Sequence, residues 1–155
     1  GGLALVCASD VRLAASTARF AVSFVRVGLS GCDIGTSWLL PRLVGAGRAH
    51  ELMLTGRLFD AAEAERIGLV TSVVPDAELL EAAYREAELI LGNAPFGVEM
   101  TKQTMWAALE APSLPAAVAL ENRTQVLCLG GDDFAEAVAA FRGRRPPRWA
   151  PAARG

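Results

Sequence analysis

Past Asp33 the chain cuts itself into short helical stretches with its own start and stop signals, and this punctuation constrains the fold more than any other feature. Asp60 and Glu63 make a capping box before a short helix that Gly68 ends. Asp76 is expected to cap a helix that reads to about residue 91, with Gly92 after it. Pro95 opens another, which ends before Pro112. Ser113 and Pro115 start a fourth, closed by Gly130 and Gly131. Asp133 and Glu136 suggest a second capping box before residues 134–141. Arg142, Arg144, Arg145 and Pro146-Pro147 then form a basic end that cannot continue a helix.

The first third of the chain reads differently. Residues 11–15 and 19–22 are predicted strands, with Ser16-Thr17 as the turn between them, and residues 25–29 suggest a third. Residues 70–74 are a β-branched strand closed by Pro75. At the front, Gly1-Gly2 precede an apolar run through Leu3 and Val6 that reads as a buried helix. A glycine pair there lets a ligand approach the backbone, because no Cβ intervenes. It also leaves the first N–H groups of the helix free at the positive end of the dipole, a place for an oxyanion. The pattern is α/β: a short β portion, then a helical region, with no repeat and no low-complexity linker.

Bulk properties narrow the classes. At 155 residues the chain is the size of one domain. Its 52% of hydrophobic residues is high for a free-standing domain and predicts apolar surface that a partner or a further segment covers. No run approaches the roughly 18 apolar residues of a membrane span. A net charge of −2 argues against nucleic acid as a partner. Cys7, Cys32 and Cys128 form no CxxC pair and no metal pattern with the lone His50, and read as free thiols of a reducing, cytoplasmic compartment. No ligand cluster or dinucleotide fingerprint implies a metal or redox cofactor.

Three blocks are more specific: Leu52-Met53-Leu54-Thr55-Gly56, Ala64-Glu65-Arg66-Ile67-Gly68-Leu69-Val70 and Asn93-Ala94-Pro95. They follow Gly1-Gly2 and the stretch 27–45 in a fixed order and spacing. From Gly1 to about Trp149 the chain resembles the enoyl-CoA hydratase/isomerase (crotonase) family. The resemblance implies a crotonase-like α/β fold, with the last ββα turn or turns of the family's spiral in residues 1–59. A helical C-terminal trimerisation region in 60–149 and a tail in 150–155 follow. The family's first half is expected to be missing, as in a fragment of a longer product or a truncated reading frame. The implied partner is an acyl-CoA thioester of fatty acid metabolism, with coenzyme A a part of the substrate and not a cofactor. Homotrimers, or hexamers built as dimers of trimers, are implied too.

The family stabilises a thioester enolate with two backbone N–H groups, each typically worth about 3–4 kcal/mol in the transition state. Gly1, beside Gly2, matches one donor; the other belongs to the missing half. Hydratases of the family use two glutamates, and the matching positions here are Ala4 and Phe24, which cannot move a proton. Asp33, in Gly31-Cys32-Asp33-Ile34-Gly35-Thr36-Ser37, is the remaining candidate. Dienoyl-CoA isomerases and 4-chlorobenzoyl-CoA dehalogenases carry an aspartate before this helix, about one residue of gap away. Phe24, Ile34 and Trp38 would give Asp33 an apolar setting suited to proton transfer. The alternative role for Asp33 is the N-cap of a helix beginning at Ile34 or Gly35.

Further implied contacts are Phe24 and Trp38 with the acyl group, and Phe141 with Arg142, Arg144 and Arg145 on the adenine and 3′-phosphate of coenzyme A. Trp38 and Trp106 also read as core, His50 and Arg26 as surface, and the terminal arginines as complements to a helix dipole. The expected function is acyl-CoA processing of isomerase or hydratase type. The alternatives are thioester hydrolysis or dehalogenation with Asp33 as nucleophile, or a non-catalytic chain that binds coenzyme A or oligomerises.

Overall fold

The computed structural model describes residues 1–150. It comprises two compact units, residues 1–85 and residues from 86 onward. Residues 60–85, which the sequence groups with the helical region, lie in the first. The expected tail falls, past Ala150, outside the described residues.

The first unit begins with α1 (Gly2–Ala8), the buried helix expected after the glycine pair, with Ala4 and Cys7 inward. Strands β1 (Leu13–Ala15) and β2 (Arg19–Phe20) follow. They flank the Ser16-Thr17 turn but do not pair with each other. β1 runs parallel to β4 (Ser72–Val74), with Leu13 opposite Ser72 and Ala15 opposite Val74. β2 runs antiparallel to β3 (Phe59–Asp60), and the rings of Phe20 and Phe59 stack 5.5 Å apart. Distant segments, not a local hairpin, satisfy these backbones.

Three local expectations are corrected. Residues 25–29 do not form a strand; Ser23–Val27 is a 3-10 turn closed by Gly28, and Leu29 N–H donates to Phe24 O at 3.0 Å. Valine here is spent on packing: a Cβ on Gly56 would lie 2.8 Å from Val25 Cγ2, so this turn sits directly on the end of the next helix pair. Asp76 does not cap α5 (Leu79–Leu91), which starts after a 3-10 turn at Asp76–Glu78. Its carboxylate instead accepts from Ser16 Oγ (3.1 Å), Thr17 N–H (3.2 Å) and Thr17 Oγ1, which fastens the β1–β2 turn and lowers the Asp76 pKa. Strand β4 is shorter than predicted because Leu69 and Val70 turn into the core, their N–H groups both donating to Ala64 O.

Helices α2 (Thr36–Val44), α3 (Ala46–Thr55) and α4 (Ala61–Arg66) complete the unit. The first capping box forms in part as read: Asp60 Oδ1 accepts from Glu63 N–H at 2.8 Å. The Glu63 carboxylate goes elsewhere. Arg57 holds it at 2.6 Å and holds Glu51 at 2.6 Å, so one guanidinium clamps α3 to α4. Both carboxylates are thereby pulled below their ordinary range. Beneath this clamp Leu40, Leu52, Leu69 and Cys7 are fully buried. Burial of one such leucine stabilises by roughly 1.5–3 kcal/mol, and burial pushes the Cys7 thiol pKa up.

The second unit holds α6 (Pro95–Ala108), α7 (Leu114–Leu129) and α8 (Asp132–Arg142). Pro95 opens α6 and Ser113 Oγ caps α7 through Ala116 N–H at 3.3 Å, both as expected. The second capping box is not made; Gly131 is the N-cap of α8. Asp133 Oδ2 accepts from Phe96 N–H at 3.0 Å, and Glu136 takes the forked Arg145 and Arg148 N–H. Charged or tertiary donors outcompete the local amide. Ala140 is the one buried side chain of this unit among the described residues.

Candidate active site

Folding of the first unit brings the front of α1 against the 3-10 turn and the loop before α2. A pocket of about 220 Å³ lies there, lined by Gly1, Gly2, Ala4, Phe24, Ile34 and Thr36, with Leu3, Ala21, Val22 and Ser23 completing the wall. A Cβ on Gly1 or Gly2 would touch nothing within 4 Å, so packing does not demand glycine there and the backbone faces open space. Gly1 O accepts from Ala4 N–H (3.1 Å) and Leu5 N–H (3.3 Å), which starts the helix. The polar side chains of the wall are the hydroxyls of Ser23 and Thr36, and no carboxylate lines it.

The chain then reaches α2 through an unusual turn. Ile34 has φ +42° and Gly35 φ +82°. Asp33 holds the turn on both sides: its Oδ1 accepts from Ile34 N–H at 2.9 Å and its carbonyl from Thr36 N–H at 2.9 Å. Gly35, not Asp33, is the N-cap of α2, so the capping role expected of Asp33 is replaced by a turn-forming one.

Comparison with known proteins gives the family. A family model described as enoyl-CoA hydratase/isomerase matches residues 1–152. The chain belongs to the enoyl-CoA hydratase/isomerase family. It is 46% identical over 148 residues to a probable enoyl-CoA hydratase of Mycobacterium tuberculosis, covering 95% of this chain and 52% of that one. Among solved structures, it resembles a probable enoyl-CoA hydratase/isomerase from Mycobacterium abscessus (44% identity, TM-score 0.88, 96% of this chain and 57% of that one). It also resembles an enoyl-CoA hydratase from Bacillus anthracis (33% identity, TM-score 0.91, 96% and 57%). The fold is thus crotonase-like α/β with a helical C-terminal region. The chain spans about half the length of the relatives it matches.

Of the residues singled out from sequence, the structure gathers Gly1, Gly2, Ala4 and Phe24 into one pocket. Asp33 is exposed and flanks the pocket between its turn bonds, without lining it. Trp38 does not line the pocket and is not core: it is half exposed, with the Arg42 guanidinium 3.3 Å above its ring. Arg26 and His50 are exposed, as read. Phe141 and Arg142 close α8 in the second unit, both exposed. The sequence reading missed Thr36, the one buried polar residue of the described core, and treated Ile34 only as an apolar neighbour. Gly35 is a signal for its own left-handed φ, since glycine takes it without steric cost, but nothing in the sequence marks Ile34 for one.

Proposed function

We propose that this chain supplies one wall of an acyl-CoA site that stabilises a thioester enolate, with double-bond isomerisation as the reaction. The observation that carries the reading is the pocket itself, which collects the Gly1-Gly2 backbone with Ala4 and Phe24. Gly1 is the proposed oxyanion donor. Ala4 and Phe24 stand where a hydratase would hold and activate water, and neither moves a proton. Isomerisation asks less: one carboxylate removes the proton α to the thioester carbonyl and returns it at the γ carbon. Asp33 is the proposed shuttle, being the carboxylate whose neighbours Ile34 and Thr36 line the pocket. Phe141 and Arg142 are proposed to meet the coenzyme A moiety, and the apolar faces of the second unit to join copies of the chain in a trimer.

A non-catalytic reading has one observation in its favour: Asp33 Oδ1 is already occupied by Ile34 N–H. The test follows 2-enoyl- and 3-enoyl-CoA esters by absorbance, with the longest natural form of the protein beside Asp33→Asn. Asparagine keeps the turn acceptor and loses the proton shuttle. We expect isomerase turnover in the wild type and a loss of orders of magnitude in the variant at unchanged melting temperature. Surviving turnover removes Asp33 from the mechanism. No turnover in either protein, with coenzyme A binding retained, selects the non-catalytic reading.

A further inference from the structure

We infer, resting on the acyl-CoA reading above, that Ile34 is the residue that limits the size of the acyl group this pocket accepts. Ile34 has φ +42°, in the left-handed region where a β-branched side chain is a genuine outlier. Such strain persists only where the surroundings over-determine it, and it concentrates at ligand sites. Core packing does not supply the compensation, because Ile34 is 57% exposed. Glycine would take this backbone without penalty, as Gly35 does at φ +82°. What distinguishes Ile34 is its place: it lines the pocket beside Phe24 and Ala4.

The turn is built to keep it there. Asp33 Oδ1 takes the Ile34 N–H at 2.9 Å, and Asp33 O takes the Thr36 N–H at 2.9 Å. Thr36, 2% exposed, anchors the far side. The side chain at 34 is therefore part of a fixed wall and not of a loose loop. The exposed lining of the pocket is more polar than apolar but carries no charged side chain, and Ile34 and Phe24 are among its bulky apolar members. A fixed apolar side chain in such a wall sorts ligands by volume and shape at its own position. One methylene more or less in a hydrophobic pocket typically changes discrimination by about 10–200-fold. Ile34 thus favours short, unbranched acyl groups.

The test measures affinities for butyryl-, isovaleryl-, hexanoyl- and decanoyl-CoA by isothermal titration. It uses the longest natural form of the protein, as wild type, Ile34→Val, Ile34→Ala and Ile34→Gly, with melting temperatures alongside. We expect the Ala and Gly variants to gain about tenfold or more for the branched or longer esters relative to butyryl-CoA. The Val variant shifts the same way by less. The Gly variant keeps or raises the melting temperature, since glycine relieves the strained φ. Unchanged relative affinities in folded variants overturn the assignment of Ile34 while leaving the acyl-CoA reading intact. A wild type that binds none of the four esters overturns the acyl-CoA reading and the inference with it.

Discussion

Between residues 1 and 85, Leu40 of α2, Leu52 of α3 and Leu69 of the loop after α4 share one interior. From residue 86 on, α6, α7 and α8 keep Leu114, Val126, Leu127, Phe134 and Phe141 outside, Phe141 with 86% of its surface accessible. Both regions have well-signalled helix ends, and both are rich in apolar residues. The difference is that α1 to α4 find partners within their own unit, with paired strands beneath them. The second unit buries only Ala140 among the described residues, and its ties include Thr104 with Thr124 at 3.0 Å and Trp149 Nε1–H to Gly92 O at 2.9 Å. Capping and propensity can write a helix, but isolated helices of this length are marginal in water. Their stability comes from what covers the apolar face.

The contrast breaks most directly by truncating one leucine on each side. Leu52→Ala removes a fully buried side chain and should cost about 2–5 kcal/mol in a urea melt. Leu127→Ala touches an exposed position and should stay within about 0.5 kcal/mol. Equal costs would mean the second unit has a core after all.

Arg57→Met probes the clamp between α3 and α4. It leaves Glu51 and Glu63 facing each other without their shared cation. We expect a lower melting temperature, smaller in effect than Leu52→Ala, and carboxylate pKa values that return upward toward the ordinary range. An NMR titration of both glutamates that shows no upward movement would remove the clamp from the account.

In the second unit the corresponding lever is Glu136, which the Arg145 fork and then Arg148 N–H pull from 4.5 to about 2. A folded-state pKa below the unfolded value gives a stabilisation that is complete above about 4.5 and lost as pH falls to about 2. Protection factors of α8 amides, corrected for intrinsic exchange at each pH, should therefore fall over that window in the wild type. In Glu136→Gln the fall should flatten, with lower protection already at pH 5. An unchanged pH profile in the variant would show that the pair contributes nothing to α8.

The smallest effect on the fold, and the largest on association, is expected from Leu127→Ser combined with Phe141→Ser. If the bare apolar faces join copies of the chain, light scattering should give a mass above the monomer for the wild type and a reduced one for the double variant. A clean wild-type monomer would leave those faces without a role in self-association.

Much of this was legible from residue order. Helix starts at Pro95 and Ser113, the Asp60 cap and the buried front helix all follow from local chemistry. Four of the corrections share one cause. Asp76, Glu63, Asp133 and Glu136 were each read against the nearest amide, and each carboxylate found a stronger or more distant donor: the β1–β2 turn, Arg57, Phe96 N–H and Arg145. The valines of 25–29 carry strand propensity, yet Gly28 turns the chain and Gly56 admits Val25 at close range. Trp38 reads as core by spacing and is instead half exposed beneath Arg42.

By itself, then, the sequence determined several helix starts, among them those at Pro95 and Ser113 and the Asp60 cap, and which family the chain belongs to. These rest on contacts within a few residues or on a pattern of spacing. Only the tertiary structure decided which strands pair, which apolar faces are covered, and that Asp33 spends its carboxylate oxygen holding Ile34 at a left-handed φ on the pocket wall. Strand pairing and burial depend on partners far away in the chain, and the Asp33–Ile34 bond, though local, matters only because the fold sets Ile34 on the pocket wall.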